Sequence, residues 1–282
     1  MKLVPIGNDA TRFRARIDDL DMPVRRIFNL DRLLDAVRTR TMGLAAPHGW
    51  DDPREDLAAL CMLDGSRLSP PRPQQQQLAD FLAPAWAQCW SSNPGSDTLL
   101  RAYSRVDRDP KTQKNRDRAF EGVTVTTTVR HLLAAAEAWH ADGADCHVVV
   151  GRVEYLPDSE IGQRIVNACN GAEGPGFFRS VQGRADGLMW KRDYFAHEQE
   201  VRLLIIARAW PKDAPVPPFR EVRIDPDLLF REISFDPRLN AAEVREREAE
   251  FRAAGFGGPF RLDTSYQKIL HLLEMRRTWD GP

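Results

Sequence analysis

The sequence predicts an α+β fold: mixed, mostly antiparallel sheets with flanking helices. Three observations lead there. Short β-branched or alternating runs recur along the chain between turn residues, as hairpins require. Amphipathic helical stretches lie among them without the strict strand–helix alternation of a doubly wound fold. The chain of 282 residues can bury a sizeable core without staples, and seven Trp and thirteen Phe supply large side chains for it.

The first clear strand is 24–28. A helix over about 30–40 follows, because Leu30, Leu33, Leu34 and Val37 recur at helical spacing behind Asn29, a good cap. Residues 42–46 read as a second strand. Trp50-Asp51-Asp52-Pro53 is a turn that opens a helix reaching 62, with Pro53 at its first position and Asp52 placed to cap it. Residues 86–91 read as a buried strand, and Ser96-Asp97 cap a helix ending near Tyr103.

The stretch 105–118 reads as an exposed loop. Its basic residues suit phosphate contacts, and its polarity equally suits plain solvation. Strands are predicted over 122–128 and 147–155, and helices over 131–141 and 161–169. The glycines of 171–187 predict a flexible loop. Further strands lie near 198–207, 222–224 and 232–235, and helices at about 241–254 and 266–276. This organisation predicts a single domain over 1–282, with a Pro/Gln-rich surface insertion at about 65–78 and a helical C-terminal extension at about 240–282.

Composition excludes some classes. A net charge of −1 argues against bulk attraction to nucleic acid or an anionic membrane. Cys61, Cys89, Cys146 and Cys169 are scattered, without a Cys-x-x-Cys pair, so neither a zinc site nor a disulfide framework is expected. The N-terminal 21 residues carry charges throughout and do not read as a signal peptide. No run approaches the length that spans a bilayer. Reduced thiols in a cytoplasmic protein with no membrane partner are the simplest expectation. A Gly-x-Gly-x-x-Gly fingerprint and a Walker loop are both lacking.

The densest chemistry lies at Phe195-Ala196-His197-Glu198-Gln199-Glu200-Val201-Arg202. Glu198, Glu200 and Arg202 recur at a spacing of two, which on a strand puts them on one face. Close like charges are costly, so two carboxylates at a strand's mouth mark a candidate site. The bland alternative is that Glu200 only pairs with Arg202 or a cross-strand neighbour. On a strand His197 would point away from Glu198, as a structural or gating residue.

Four blocks together resemble the uncharacterised bacterial family called domain of unknown function twenty-nine seventy-one. They are Val24-Arg25-Arg26-Ile27-Phe28 with its Leu-rich helix; Gly49-Trp50-Asp51-Asp52-Pro53-Arg54-Glu55; Gln88-Cys89-Trp90-Ser91 with Ser96-Asp97 and Tyr103; and the 195–202 block. Glu121-Gly122-Val123-Thr124-Val125 adds a Gly-Val strand, and Leu100 stands where the family pattern has Trp. In outline this pattern is similar to ADP-ribosyltransferases of the Arg-Ser-Glu type. That likeness implies an ADP-ribosyltransferase-like fold, NAD as substrate, and a toxin or phage-defence effector with a nucleic-acid or protein acceptor and an antitoxin or other protein partner.

By the same likeness Glu200 and Glu198 are the candidate catalytic residues. Arg26 or Arg25, Ser91, Trp90 and Tyr103 are the candidate NAD-binding residues. Breaking the nicotinamide–ribose bond builds positive charge on the sugar, which a fixed carboxylate stabilises. A guanidinium matches the pyrophosphate. Ser91 would hold the ribose or brace the motif strand, and Tyr103 or Trp90 would stack on the nicotinamide. Each has a plainer reading. Arg26 pairs with Asp31, Ser91 caps a turn, and both aromatics pack the core or its rim. Two other functions remain open: a metal-dependent nuclease using Asp51, Asp52, Glu198 and Glu200, and a non-enzymatic nucleic-acid or protein binding module using 105–118.

Overall fold

The computed structural model describes residues 1–7, 9–50, 52–56, 82–141, 145–211 and 214–266. An antiparallel pair that the hydrophobic pattern did not announce opens the chain, β1 (Val4–Ile6) with β2 (Asp9–Ala15). Strand β3 (Pro23–Asn29) runs directly into α1 (Leu30–Thr39). Asn29 caps that helix by accepting from the Arg32 amide at 3.2 Å, and Leu30, Leu33, Leu34 and Val37 are its buried face. Strand β4 (Thr41–Ala45) follows, then a short 3-10 turn, Pro53–Asp56. Cys61, Asp51, the Pro/Gln-rich insertion and the rest of the predicted 53–62 helix lie outside the described residues.

After β5 (Ala85–Ser91), Ser96 caps α2 (Asp97–Tyr103) by accepting from the Leu99 amide. Strand β6 (Gly122–Thr128) leads into α3 (Val129–Ala141), then β7 (Cys146–Arg152) and β8 (Glu154–Leu156). The predicted single strand 147–155 is therefore two. At Val153 the chain leaves the main ladder, with its amide on the Glu200 carbonyl at 3.0 Å. Helix α4 (Asp158–Cys169) is followed by α5 (Val181–Leu188), and β9 (Trp190–Arg192) pairs with β8 in parallel.

Helix α5 corrects the expectation of a flexible loop over 171–187. Gly183 there serves close packing: a Cβ on it would collide with the Phe177 carbonyl. The rest of the chain comprises β10 (Glu200–Ala207), β11 (Phe219–Arg223), α6 (Pro226–Leu229), β12 (Glu232–Phe235), α7 (Ala241–Ala253) and β13 (Phe260–Arg261). The predicted 266–276 helix lies outside the described residues, apart from Tyr266.

The main sheet has the order β1-β2-β7-β10-β5-β3-β6-β12-β13, and β4 joins β5 to β11. Its pairings are antiparallel except β2 with β7 and β12 with β13. The expected mixed, mostly antiparallel α+β architecture is thus the one observed. Strand β10 is buried on both faces, which explains its unbroken apolar run. Val201, Leu203 and Ile205 face the main core, while Leu204 and Ile206 join a second core with Ala185 and Leu188 of α5. The sheet nearly divides in two. Strands β3 and β5 pair only at Arg25–Ser91, so the β10 ladder and the β6 ladder meet at one point. Among the described residues no helix is long and apolar enough to cross a membrane.

Candidate active site

The junction of the two ladders lies beside a cleft of about 1340 Å³. Register explains what lines it. Glu200 is opposite Ser91, Ser91 opposite Arg25, Arg25 opposite Thr126, and Thr126 opposite Glu232. Residues directly opposite in antiparallel ladders share a face. One row across five strands therefore carries a carboxylate, a hydroxyl, a guanidinium, a hydroxyl and a carboxylate, and all five residues line the cleft.

The motif strand begins at Glu200, two residues later than predicted. Asp193–Glu198 forms a short 3-10 turn, and Gln199 adopts a left-handed conformation with φ 45°. Alternation along a strand therefore does not bring Glu198 and Glu200 together. Lys191 on β9 does. Its ammonium lies 2.7 Å from Glu198 Oε2, 3.1 Å from Glu200 Oε2 and 3.0 Å from Glu55 Oε1. Arg202 completes the cluster: its Nε is 2.9 Å from Glu200 Oε1, and a terminal nitrogen pairs with Glu55. The other terminal nitrogen donates to the Leu188 carbonyl at 2.7 Å, and the guanidinium stacks 4.9 Å from the centre of the Trp50 ring.

Three carboxylates thus share two cations in a largely buried setting. Glu200 is 4% exposed and Arg202 is fully buried. Burial alone would push the Glu200 carboxyl up, but Arg202 and Lys191 overcome it and hold the group down at about 2. Burial likewise opposes the charges of Lys191 and Arg202, and Glu200 with Glu55 holds both above their ordinary values. Tyr155 packs behind the strand, where its hydroxyl accepts from the Glu200 amide at 2.7 Å. Its phenol is pushed up to about 12, first by burial. Beside Glu200, burial and the carboxylate charge drive the Cys89 thiol well up, so it stays neutral.

Arg26 sits where β3 and β5 part. It donates to the Cys89 carbonyl and lies 5.1 Å from the centre of the Phe28 ring. Its Nε is buried and has no hydrogen-bond partner among the described residues. The alternative pairing with Asp31 is not formed, because Asp31 meets Arg118 instead. Burial pushes the Arg25 guanidinium down, with Arg261 adding to the effect.

Ser91 donates to the Glu198 carbonyl at 2.5 Å and accepts from the Asn93 amide at 3.0 Å. It braces the turn before β10 and caps its own. Tyr103 is 60% exposed and lines the cleft. Trp90 is only 2% exposed: its indole donates to Gln88 at 3.1 Å and meets Phe28 edge-on in the main core. On the turn, the His197 carbonyl accepts from Asn93 at 3.3 Å. Asp52 accepts from the Arg54 amide at 3.0 Å, as a turn cap does, and also pairs with Arg192. Among the described residues no group of three or more His, Cys, Asp or Glu side chains is arranged to hold a metal ion.

The sequence reading missed Lys191, and it gave Glu55 no role. Lys191 precedes Glu198 by seven residues on a three-residue strand, and no local period connects them. The only sequence signal was indirect: several carboxylates near one strand's mouth need cations.

No family model and no curated protein matches the chain. Similar solved structures are Thermus sp. 2.9 DarT in complex with ADP-ribosylated ssDNA and the same protein in complex with NAD+. The first is 15% identical, with 88% of this chain and 98% of that chain covered and a TM-score of 0.32. For the second the values are 15%, 86%, 96% and 0.31. TM-scores this low do not establish a common fold.

Proposed function

We propose that the chain is an ADP-ribosyltransferase that uses NAD as substrate and a nucleic-acid strand as acceptor. One observation carries the proposal: Glu200, Ser91 and Arg25, distant in sequence, stand in one cross-strand row that lines one cleft. At about 1340 Å³ the cleft exceeds the roughly 300–1,000 Å³ of ordinary small-molecule sites, so a dinucleotide and part of an acceptor fit together.

In this reading the bond between the nicotinamide nitrogen and ribose C1′ breaks, and its electron pair leaves with nicotinamide. Glu200, ionised and fixed by Arg202, stabilises the positive charge that develops on the ribose. Preorganisation matters here, since a carboxylate already held in place needs no reorientation in the transition state. Arg25 and the unpartnered Nε of Arg26 serve the pyrophosphate. Tyr103 serves the nicotinamide ring, because Trp90 is committed to the core. Glu198 is the most exposed of the three clustered carboxylates, with 19% of its side chain accessible. It receives the proton that the acceptor atom loses as it bonds to C1′.

The acceptor class follows from the cleft's mouth. Tyr103, Phe219 and Tyr266 are exposed there among Arg25, Arg32 and Arg261. Aromatic faces interleaved with guanidiniums suit unpaired bases on a phosphate backbone. A nuclease would need carboxylates free for metal ions, whereas Glu55 and Glu200 already pair with both Lys191 and Arg202, and Glu198 pairs with Lys191.

Incubating the protein with NAD and single-stranded nucleic acid should release nicotinamide and add one ADP-ribose mass to the acceptor. NAD should also raise the melting temperature. If NAD gives neither nicotinamide release nor a higher melting temperature, the proposal fails. The effector role is tested alongside it: induced expression should arrest growth, and Glu200→Gln should relieve the arrest.

A further inference from the structure

We propose that Lys191 is a positioning residue, which by bridging Glu55, Glu198 and Glu200 sets the separation of the two motif carboxylates. The inference rests on reading the cleft as a transfer site.

The geometry separates the roles of the two cations. Arg202 is immobilised on every side: by Glu200, Glu55, the Leu188 carbonyl and the Trp50 ring. It cannot follow Glu198, which it does not touch. Among the described residues Lys191 alone bonds both motif carboxylates, from a separate strand. Its ammonium packs 4.8 Å from the centre of the Phe195 ring, on the turn that carries Glu198, which holds the lysine and that turn together. Glu55 anchors it from the opposite side, and the turn bearing Glu55 is fastened independently by Asp52 to Arg192 and by Asp56 to Arg184. The block 49–55, which the chemistry above did not use, thus acquires a purpose: it delivers the carboxylate that steadies Lys191.

Electrostatics gives the arrangement its direction. The charged groups packed about the ammonium are Glu55, Glu198, Glu200 and Arg202, with Asp52 and Arg192 one step further out. Of the neutral groups, Tyr155 touches the Glu200 amide and Cys89 borders its carboxylate. With Lys191 removed, three carboxylates share one guanidinium, and one of them protonates more easily. With Glu55 neutralised, two cations serve two carboxylates, and Glu200 then holds its charge more firmly. Opposite signs for these two changes distinguish an electrostatic positioning role from generic packing.

The test uses the full chain as Lys191→Met, Lys191→Arg and Glu55→Gln. Isotope-edited infrared spectroscopy with 13C-carboxyl glutamate is read as a function of pH without NAD, and nicotinamide release is read separately. In Lys191→Met one glutamate should titrate about 1–3 units higher than in wild type. The acidic limb of kcat should move up with it, while KM for NAD changes less than about threefold. Lys191→Arg should restore both, and Glu55→Gln should move the titration downward. A folded Lys191→Met protein with unchanged glutamate titration overturns the proposal, as does an arginine variant that fails to restore it. Should Lys191→Met not fold, Glu55→Gln decides: a downward shift supports the role, and no shift or an upward one ends it. If wild type releases no nicotinamide, the transfer reading fails on its own, and the infrared titration still decides whether Lys191 governs the two carboxylates.

Discussion

Two buried ion clusters in this molecule use the same residue types and end in different arrangements. Around β6 and α7, Glu121 is fully buried and takes two bonds from Arg247, at 3.0 and 3.3 Å. Asp236 is held by Arg238 at 2.6 Å and by the Ser104 hydroxyl, and Glu243 closes a capping box with Asn240. These side chains are not among those lining the cleft. Around β9 and β10 three carboxylates meet two cations, and one wall is open.

On the proposed function, the contrast separates scaffolding from chemistry. Buried ion pairs lose hydration that their mutual attraction barely repays, so a cluster closed by matched partners serves mainly to dock elements, here α7 against β6. The cluster at the cavity is not closed in this way, since it holds more carboxylates than cations. Its excess suits a cation that forms only during reaction.

The sharpest way to break the comparison is Glu200→Gln. Because it removes the surplus charge and leaves two carboxylates for two cations, the fold should persist. Nicotinamide release should fall by about 10²–10³-fold, the usual scale for losing one preorganised electrostatic group.

Glu121→Leu should do the reverse. It leaves Arg247 only Glu246 and Glu250, at 3.3 and 3.7 Å, and should destabilise the chain by about 3 kcal/mol in denaturant titration without altering turnover per folded molecule. Glu121→Leu combined with Arg247→Met should recover most of that loss, since apolar replacement of a closed pair is close to neutral. The matching pair in the cleft, Glu200→Leu with Arg202→Met, should leave no activity however stable the product.

Acid sharpens the same contrast. Glu200 titrates at about 2 when folded, against an ordinary 4.5. Its contribution is complete above the unfolded value and disappears as pH falls from about 4.5 toward 2. The magnitude is of order 3 kcal/mol, visible as a falling denaturation midpoint over that window. Glu200→Gln should flatten that part of the curve. The smallest effect is expected at the rim: Tyr266→Phe removes the hydroxyl that joins Asp97 and Arg101, all three exposed, and should leave the melting temperature unchanged.

Much of the fold was legible because its signals are local. The caps at Asn29 and Ser96, the buried stripe of α1 and the apolar run of β10 depend on neighbours within a few residues, which sequence displays directly. The strand pair at the N-terminus and helix α5 were not legible. Half-exposed strands carry little hydrophobic pattern, and glycines that allow close packing resemble glycines that allow motion.

The sequence by itself displayed the chemical groups of the candidate site: two carboxylates at the mouth of a buried strand, and, through the family likeness, an early-strand arginine pair with a serine on another strand. Only the tertiary structure decided how they are used. Cross-strand register aligned Glu200, Ser91 and Arg25; a left-handed Gln199 removed Glu198 from the strand; and a three-residue strand placed Lys191 between them. The physical reason is range. Propensity and periodicity act over a few residues, whereas a charge buried in low dielectric responds to whatever partner the folded chain sets within a few ångströms, however remote in sequence.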